Sequence, residues 1–452
     1  MNGPGGAGAA IERLPTPQSV AKCPSGPEDA DAHHADGETA DAPPRKRSRR
    51  RRGRRGKGQS KDQSKGQSRV QSGEQTELQP KEQVAKAPRS RKARPGHAPS
   101  SDALYAALDL GTNNCRLLIA RRALDGFTVV DSYSRIVRLG EGLAKYGVLG
   151  DAAMARAIDA LKICADKMAR RGVKRARMIA TAACRTAVNG TDFIERVKRE
   201  TGLALEIVST EDEARLAVAG CAPLLDRTCA SALVFDIGGG STELIWVRMR
   251  GAAAGARERK PEIGDWISLP CGVVTLAERY GGLEVPGNIY ARMVAEVAGQ
   301  LQPFLERVAA EGGMENFHLL GTSGTVTTIA GVHLGLERYD RTRVDGIWIS
   351  PADVDRVTRS LLEMTYANRA AHPCVGHDRA DLVLAGCAIF EAIADAWPAD
   401  RLRVADRGLR EGILLSLMEA DARRRKRRRR RRRKTQQRTQ EARAASAHSD
   451  TD

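Results

Sequence analysis

The chain has 452 residues, few of them aromatic (4%), and it lacks any paired arrangement of cysteine. Cys23, Cys115, Cys164, Cys184, Cys221, Cys229, Cys271, Cys374 and Cys387 stand singly, with no C-x-x-C pair and no histidine at zinc spacing. An odd, scattered set of this kind excludes a disulfide framework and a zinc finger. It reads as small buried residues of a reducing compartment. No run of about 18 apolar residues occurs, which excludes a membrane-spanning helix. The N-terminus MNGPGGAGAAIERLPTPQS also lacks the basic start and apolar stretch of a secretory leader, so a cytoplasmic protein is expected.

What the chain has in excess is positive charge, +18 overall, but it is unevenly placed. Arg45 to Lys57 holds 10 Lys/Arg, and Arg423 to Lys434 is an unbroken run of 12. Taking these 22 from the 74 basic residues leaves 52 against 56 acidic ones, so the remainder is mildly acidic and charge informs about the tails alone. Residues 1–102 are rich in Gly, Pro, Ser, Gln, Arg and Lys and too poor in large apolar residues to offset chain entropy; a disordered basic arm is expected there. From 421 to 452 the like charges predict a second disordered, Arg-rich tail.

Between the tails, short apolar runs bounded by Gly, Thr or Ser, namely MIATAA (178–183), LEIVS (205–209), LVFDI (233–237) and FHLLG (317–321), predict strands. ARAIDALKICADKMARRG and IYARMVAEVAGQLQPFLERV space their apolar residues three and four apart, as amphipathic helices do. The fold class is therefore α/β, with sheets covered by helices. One internal echo outweighs the single segments. AALDLGTNNCRLLIA (106–120) and LVFDIGGGSTELIWV (233–247) align without a gap, so Asp109 matches Asp236, Gly111 matches Gly238 and Arg116 matches Glu243. Two copies of one strand-turn-strand device imply two similar halves, each opening on a hairpin.

In each copy an aspartate ends an apolar strand and small residues follow. Gly111, Thr112, Asn113 and Asn114 in the first, and Gly238, Gly239, Gly240, Ser241 and Thr242 in the second, can turn successive N–H groups one way and form a concavity for phosphate oxygens. Asp109 and Asp236 would repel phosphate directly, so their role is to hold a hydrated Mg2+ or another divalent cation that bridges to it. The plain alternative is hairpin chemistry, which either copy alone would favour. A third segment, LLGTSGTVTTIAGV (319–332), runs from a strand into a helix and offers Ser323 and Gly324 as a further anion site. It lacks the Lys of a P-loop, which disfavours a Walker-type NTPase.

Hydrolysis needs a base, and Glu213 in LEIVSTEDEARLAVAG is the candidate. On spacing alone its competing role is stronger, because Thr210 and Glu213 have capping-box spacing.

Taken together, these segments resemble the exopolyphosphatase and guanosine pentaphosphate phosphohydrolase family, the Ppx/GppA phosphatases of the actin, Hsp70 and sugar-kinase superfold. The likeness runs from about Tyr105 to Leu417 and also covers VRLGEGLA (137–144), MIATAACRTAVNGTDF (178–193), RADLVLAG (379–386) and ADRGLREGIL (405–414). It implies two actin-like (ribonuclease H-like) domains with a cleft between them. The first spans 103–209, with 404–420 returning to it, and the second spans 210–403. It also implies that Glu213 activates the attacking water, that Glu243 assists the metal and that Arg185 faces the phosphates. The substrate implied is inorganic polyphosphate, guanosine pentaphosphate or both, and a homodimer is carried as a further implication. Two departures stand out: the first turn reads GTNNC where the family has GSNS before an aromatic residue, and no HD-type helical domain follows Glu419.

The Arg-rich tails read either as solubilising segments or as electrostatic tethers for RNA, DNA or polyphosphate, without aromatics to stack on bases. Two rival functions remain on sequence grounds: an actin-superfold kinase, and a non-catalytic polyanion-binding scaffold.

Overall fold

A computed structural model describes residues 103–124, 126–251, 260–312 and 314–449. The arm expected over 1–102 lies outside the described residues. Strands β1 (Leu104–Leu110), β2 (Asn114–Ala123), β3 (Gly126–Ile136), β4 (Arg175–Ala180) and β5 (Glu206–Ile207) form one sheet in the order β3-β2-β1-β4-β5. Strands β6 (Ser231–Ile237), β7 (Thr242–Arg250), β8 (Lys260–Leu269), β9 (Phe317–Thr322), β10 (Trp348–Ile349) and β11 (Leu402–Ala405) form the other, in the order β10-β11-β9-β6-β7-β8. Each sheet is a three-stranded antiparallel meander extended by parallel strands beside its first strand, and the second ends in one more short strand, β10, antiparallel to β11.

The repeat seen in the sequence is thus a repeat of topology, and it holds to the residue. Asp109 pairs with Arg116 across β1 and β2, as Asp236 pairs with Glu243 across β6 and β7. Both middle strands carry a bulge at the matching position, Ile119/Ala120 and Trp246/Val247. A bulge re-aims the strand and sharpens its twist, so the two hairpins share their curvature as well as their register.

Both sheets are covered on both faces, which is why their strands read as apolar runs. On the first sheet, Ala106, Leu108, Leu117 and Ile119 pack under the helices Asp151–Arg171 and Gly190–Thr201, while Tyr105, Ala107, Leu118 and Ala120 face Ile413, Leu414 and Met418. On the second, Leu233, Phe235, Leu244 and Trp246 belong to a large cluster with the helices Gly287–Ala310 and Val383–Ala396. The helix Thr210–Cys221 is shared. Its Ala214, Val218 and Cys221 pack on the second sheet and its Leu216 on the first-sheet cluster.

Against that shared helix lies the C-terminal helix, Leu409–Ser449, and the two meet where side chains are absent. A Cβ on Gly220 would sit 1.9 Å from the Gly408 carbonyl oxygen, and one on Gly412 would sit 1.9 Å from that of Leu216. The chain returns to the first sheet from Leu409, after β11 has finished the second. The tail expected to be disordered from 421 is helical through Ser449 instead. Its first turns are nucleated by packing, no Gly or Pro follows Gly412 before residue 450, and Arg, Lys, Gln and Ala propagate a helix well, so weak repulsion between like charges does not stop it. Among the described residues no helix is long and apolar enough to cross a membrane.

At the rim, Arg138 of the first half makes two bonds to Asp381 of the second (2.7 and 3.0 Å), and the Gly142 amide donates to Glu278 (2.7 Å). These ties link the two halves outside the residues that line the space between the sheets.

The helix contact yields a test. Gly412→Ala forces apart two helices in backbone contact, and a loss of about 1–3 kcal/mol in unfolding free energy is expected from overpacking of this kind. Chemical denaturation measures it, and an unchanged midpoint and slope would contradict the backbone contact.

Candidate functional site

The turn of the first hairpin closes with the Gly111 amide donating to the Asn114 carbonyl (2.8 Å), and that of the second with Gly238 donating to Ser241 (2.9 Å). The turns lie against each other. A Cβ on Gly239 would stand 3.0 Å from the Thr112 Cβ and 3.2 Å from the Asn113 nitrogen, and one on Gly240 would stand 2.7 Å from the Thr112 hydroxyl. The glycine triplet therefore serves first to let turn meet turn.

Neighbouring elements take up the turn carbonyls. Thr112 accepts from the Gly140 amide, and Asn113 from Val137 and Arg138 (2.9–3.0 Å). Gly238 and Gly239 accept from Val273 and Val274 (2.9 and 2.8 Å), at the start of the helix Val273–Tyr280. The amides of Thr112, Asn113, Gly239 and Gly240 make no hydrogen bond among the described residues, and all four residues line a cleft of about 640 Å³ between the sheets. Free amides on two facing turns are an anion-binding surface.

Asp109, Gly111, Thr112, Asn113, Asn114, Glu213, Asp236, Gly238, Gly239, Gly240, Ser241, Glu243, Ser323 and Gly324 all line this cleft. Two expected residues do not. Thr242 is fully buried and donates to the Cys271 carbonyl (2.7 Å), because the first residue of β7 points its side chain into the packed start of the next helix. Arg185 stands behind the cleft, donating to Glu213 (3.0 Å) and to the Val208 carbonyl (2.9 Å). Ser323 lines the cleft but its hydroxyl is used, donating to the Ile237 carbonyl (2.7 Å).

The capping role that competed for Glu213 falls away. Ser209 is the N-cap of the Thr210–Cys221 helix and accepts from the Asp212 amide (3.2 Å), while the Glu213 carboxylate faces Arg185. Burial pushes its pKa well above the usual glutamate range, the nearby Glu243 adds to the rise, and Arg185 opposes it. Burial also raises Glu243, against the lowering effect of hydroxyls from Ser241 (2.7 Å) and Ser268 (2.9 Å) that both donate to its Oε1. Asp236 is pushed up to about 7 by burial, with Glu243 next and Asp109 also contributing, against Arg116. Asp109 is raised by burial too, and its Oδ1 is buried without a hydrogen-bond partner.

Those carboxylates do not form the three-ligand metal set expected of Asp109, Asp236 and Glu243. Among the described residues no group of three His, Cys, Asp or Glu side chains is placed to hold a metal ion, and Glu243 is engaged by its two serines. What remains is a pair, Asp109 with an orphaned oxygen and Asp236 with a desolvated carboxyl. One or two carboxylates beside phosphate suit a hydrated divalent ion that keeps most of its waters.

The sequence reading passed over the cations. Arg116, Arg379 and Arg410 line the cleft; Arg116 and Arg410 make no hydrogen bond or ion pair among the described residues, and Arg379 makes one long contact to Thr328 (3.4 Å). Burial lowers the pKa of Arg410, while Glu411 and Asp109 pull it back up. Its backbone is set by Glu411, which accepts from the Gly408 amide (2.9 Å) and from Arg341 (2.9 Å). A signal was present for each. Arg116 sits opposite Asp109, where the second copy has Glu243, and the other two lie in RADLVLAG and ADRGLREGIL.

The chain is similar to known proteins over most of its described residues. The profile of the Ppx/GppA phosphatase family matches residues 118–421. Exopolyphosphatase 2 of Mycobacterium tuberculosis is 31% identical over 329 residues, covering 69% of this chain and 98% of that protein. The crystal structure of the Aquifex aeolicus member of the Ppx/GppA family is 28% identical with a TM-score of 0.58, covering 71% of this chain and 98% of that one. An exopolyphosphatase structure from Cytophaga hutchinsonii, 24% identical with a TM-score of 0.63 and covering 70% and 98%, shares the fold.

Arg410 supplies a test of the anion site. Loss of one charge-assisted contact of about 1.5–3 kcal/mol predicts that Arg410→Gln weakens orthophosphate binding about tenfold to a hundredfold. Calorimetric titration of parent and variant reads this directly; equal affinities would remove Arg410 from the site.

Proposed function

This chain belongs to the Ppx/GppA phosphatase family, and from that premise we propose that it is a phosphohydrolase that releases terminal orthophosphate from inorganic polyphosphate, guanosine pentaphosphate or both. The observation that carries the reading is Glu213. It sits at the start of a helix whose cap is supplied by Ser209, in the same cleft as both amide-lined turns, and it is held by a single cation, Arg185.

The terminal phosphate lies against the free amides of Thr112, Asn113, Gly239 and Gly240, with Arg116, Arg379 and Arg410 neutralising its oxygens and those of the next phosphate. Glu213 takes a proton from a water in line with the scissile bond. The water oxygen bonds to phosphorus, the bridging P–O bond breaks, and its electrons leave with the shortened anion, which is already stabilised by the guanidinium groups. A divalent ion such as Mg2+, held by Asp109 and Asp236, would supply further neutralisation of the phosphate oxygens. Arg185 serves as a positioning residue. By pairing with Glu213 it fixes the carboxylate and holds its pKa below what burial and Glu243 alone would impose.

Glu213→Gln is expected to lower phosphate release from polyphosphate about 10²- to 10⁴-fold, the usual contribution of a general base. Thermal stability should be unchanged or raised, because the helix cap is intact and one desolvated carboxylate is gone. Turnover at parental rate would sink the assignment.

The pH profile gives an independent check. A base must be ionised to act, so the raised pKa of Glu213 moves the acidic limb of kcat/KM above the usual glutamate range. Arg185→Gln removes a lowering influence and shifts that limb further up, at fixed divalent ion concentration. A limb that stays in place would show that Arg185 does not tune the base.

A further inference from the structure

We propose that the Arg-rich part of the C-terminal helix is a second polyanion-binding surface, taking the distal portion of a long polyphosphate chain whose end lies in the cleft. The proposal rests on the phosphohydrolase reading for its substrate and on separate observations for its site.

One helix links the two places. Leu409, Arg410 and Glu411 line the cleft, and the same helix continues unbroken to Ser449. Its course is set by the first sheet. Arg410 interacts with Asp109 near the end of β1, whereas Asp421, a few turns later, accepts from Tyr105 at the start of β1 (3.1 Å) and pairs with Arg175 (2.9 Å). The helix therefore runs from the cleft to the far rim of the sheet, and the basic run begins there. At a rise of 1.5 Å per residue, Arg423 lies roughly 20 Å from Arg410 along the axis, and Lys434 roughly 36 Å.

Beyond the rim the charge is unbalanced. Arg423 reaches Glu419 (3.4 Å), but Arg427, Arg428, Arg429, Arg430 and Arg431 are exposed and make no ion pair among the described residues. Like charges one turn apart repel, a strain that a bound polyanion relieves. Because the cations are consecutive, they point to every side of the helix, which suits a flexible charged strand wrapping it better than a flat surface. No Phe, Tyr or Trp occurs from Glu419 to Asp452, so a base would find nothing to stack on, whereas a polymer made only of phosphate uses all that the helix offers.

The separation makes the surface selective for length. A substrate short enough to fit the cleft cannot span the helix, while a long chain engaged at both places gains from the high effective concentration of its second contact. Binding tightens and the chemical step is untouched.

The test uses the full-length chain carrying Arg427→Gln, Arg428→Gln, Arg429→Gln, Arg430→Gln and Arg431→Gln, which preserves helix propensity. KM for polyphosphate of several hundred units should rise at least tenfold, with kcat unchanged and tripolyphosphate kinetics unaffected, and the parental KM for long chains should rise steeply with salt. An unchanged long-chain KM, or an equal rise for both lengths, overturns the proposal. So does loss of single-stranded RNA binding in the variant with no change in long-chain KM, which would make the helix an RNA surface. If the parent releases no phosphate from any polyphosphate, the failure lies with the function reading. Direct titration of long-chain polyphosphate onto parent and variant then still decides, equal affinity overturning the proposal and a tenfold loss supporting it.

Discussion

Backbone touches backbone at the centre of this structure, and the site depends on that contact. Gly239 and Gly240 allow the second turn to press on Thr112 and Asn113 of the first, where an added Cβ would meet atoms at 2.7–3.3 Å and force the neighbours to shift. Gly272 is equally confined, since its Cβ would fall 2.5 Å from the Gly239 carbonyl group. The carbonyls of both turns are thereby used in fixed directions, and the amides left without acceptors come together on one surface. The same device recurs beneath, where Gly220 and Gly412 let the helix carrying Glu213 lie directly on the helix carrying Arg410. Base and guanidinium are thus set relative to each other by helix packing, a rigid support that a loop could not supply.

That arrangement concentrates charge in a space that burial makes costly. Burial is the leading cause of the raised pKa of Asp109, Glu213, Asp236 and Glu243, and the charges of Glu243 and Asp109 add to the rise at Glu213 and Asp236. The cleft is not simply acidic, because Arg116, Arg379 and Arg410 enter from the first hairpin, from the segment before the helix Val383–Ala396 and from the C-terminal helix. Arg116 and Arg410, which make no hydrogen bond or ion pair among the described residues, share the cleft with the buried carboxylates of Asp109 and Asp236, an arrangement suited to a phosphate and a divalent ion bound together. The asymmetry of the repeat serves this purpose. Arg opposite Asp in one hairpin and Glu opposite Asp in the other give the two turns different charge on one backbone plan.

Much of this was legible in the residues. The gapless match of 106–120 to 233–247 implied two similar halves, each opening on a hairpin, and β1–β2 and β6–β7 are those hairpins; the aspartates, glycines and Glu213 do share a cleft. Local reasoning failed where a side chain's partner is remote in sequence. Thr242 looked like a donor of the turn, but the Cys271 carbonyl claims it. Glu213 has capping-box spacing, yet Ser209 begins the helix one residue earlier than that spacing requires, and Arg185 occupies the carboxylate. Arg379 and Arg410 lie in segments of the family likeness, but no local spacing or turn pattern marks them, and the tertiary fold alone brings them to the cleft. The helical C-terminal run was missed because repulsion between like charges was weighed without the packed turns that nucleate it.

The contacts that span the cleft differ between its base and its rim. At the base the glycine-mediated contacts hold the turns and the two central helices together. At the rim, Arg138 forks onto Asp381 through two bonds in a partly buried pair (34% and 21% exposed) and also donates to the Asp378 carbonyl (3.2 Å). The second rim tie, from the Gly142 amide to Glu278, lies at the surface. Arg138 itself holds a left-handed φ of 47°, which for a side chain other than Gly carries a cost of order 1 kcal/mol. Close glycine contacts at the base and a forked ion pair at the rim hold the two halves together, so the amides on the facing turns keep one fixed surface.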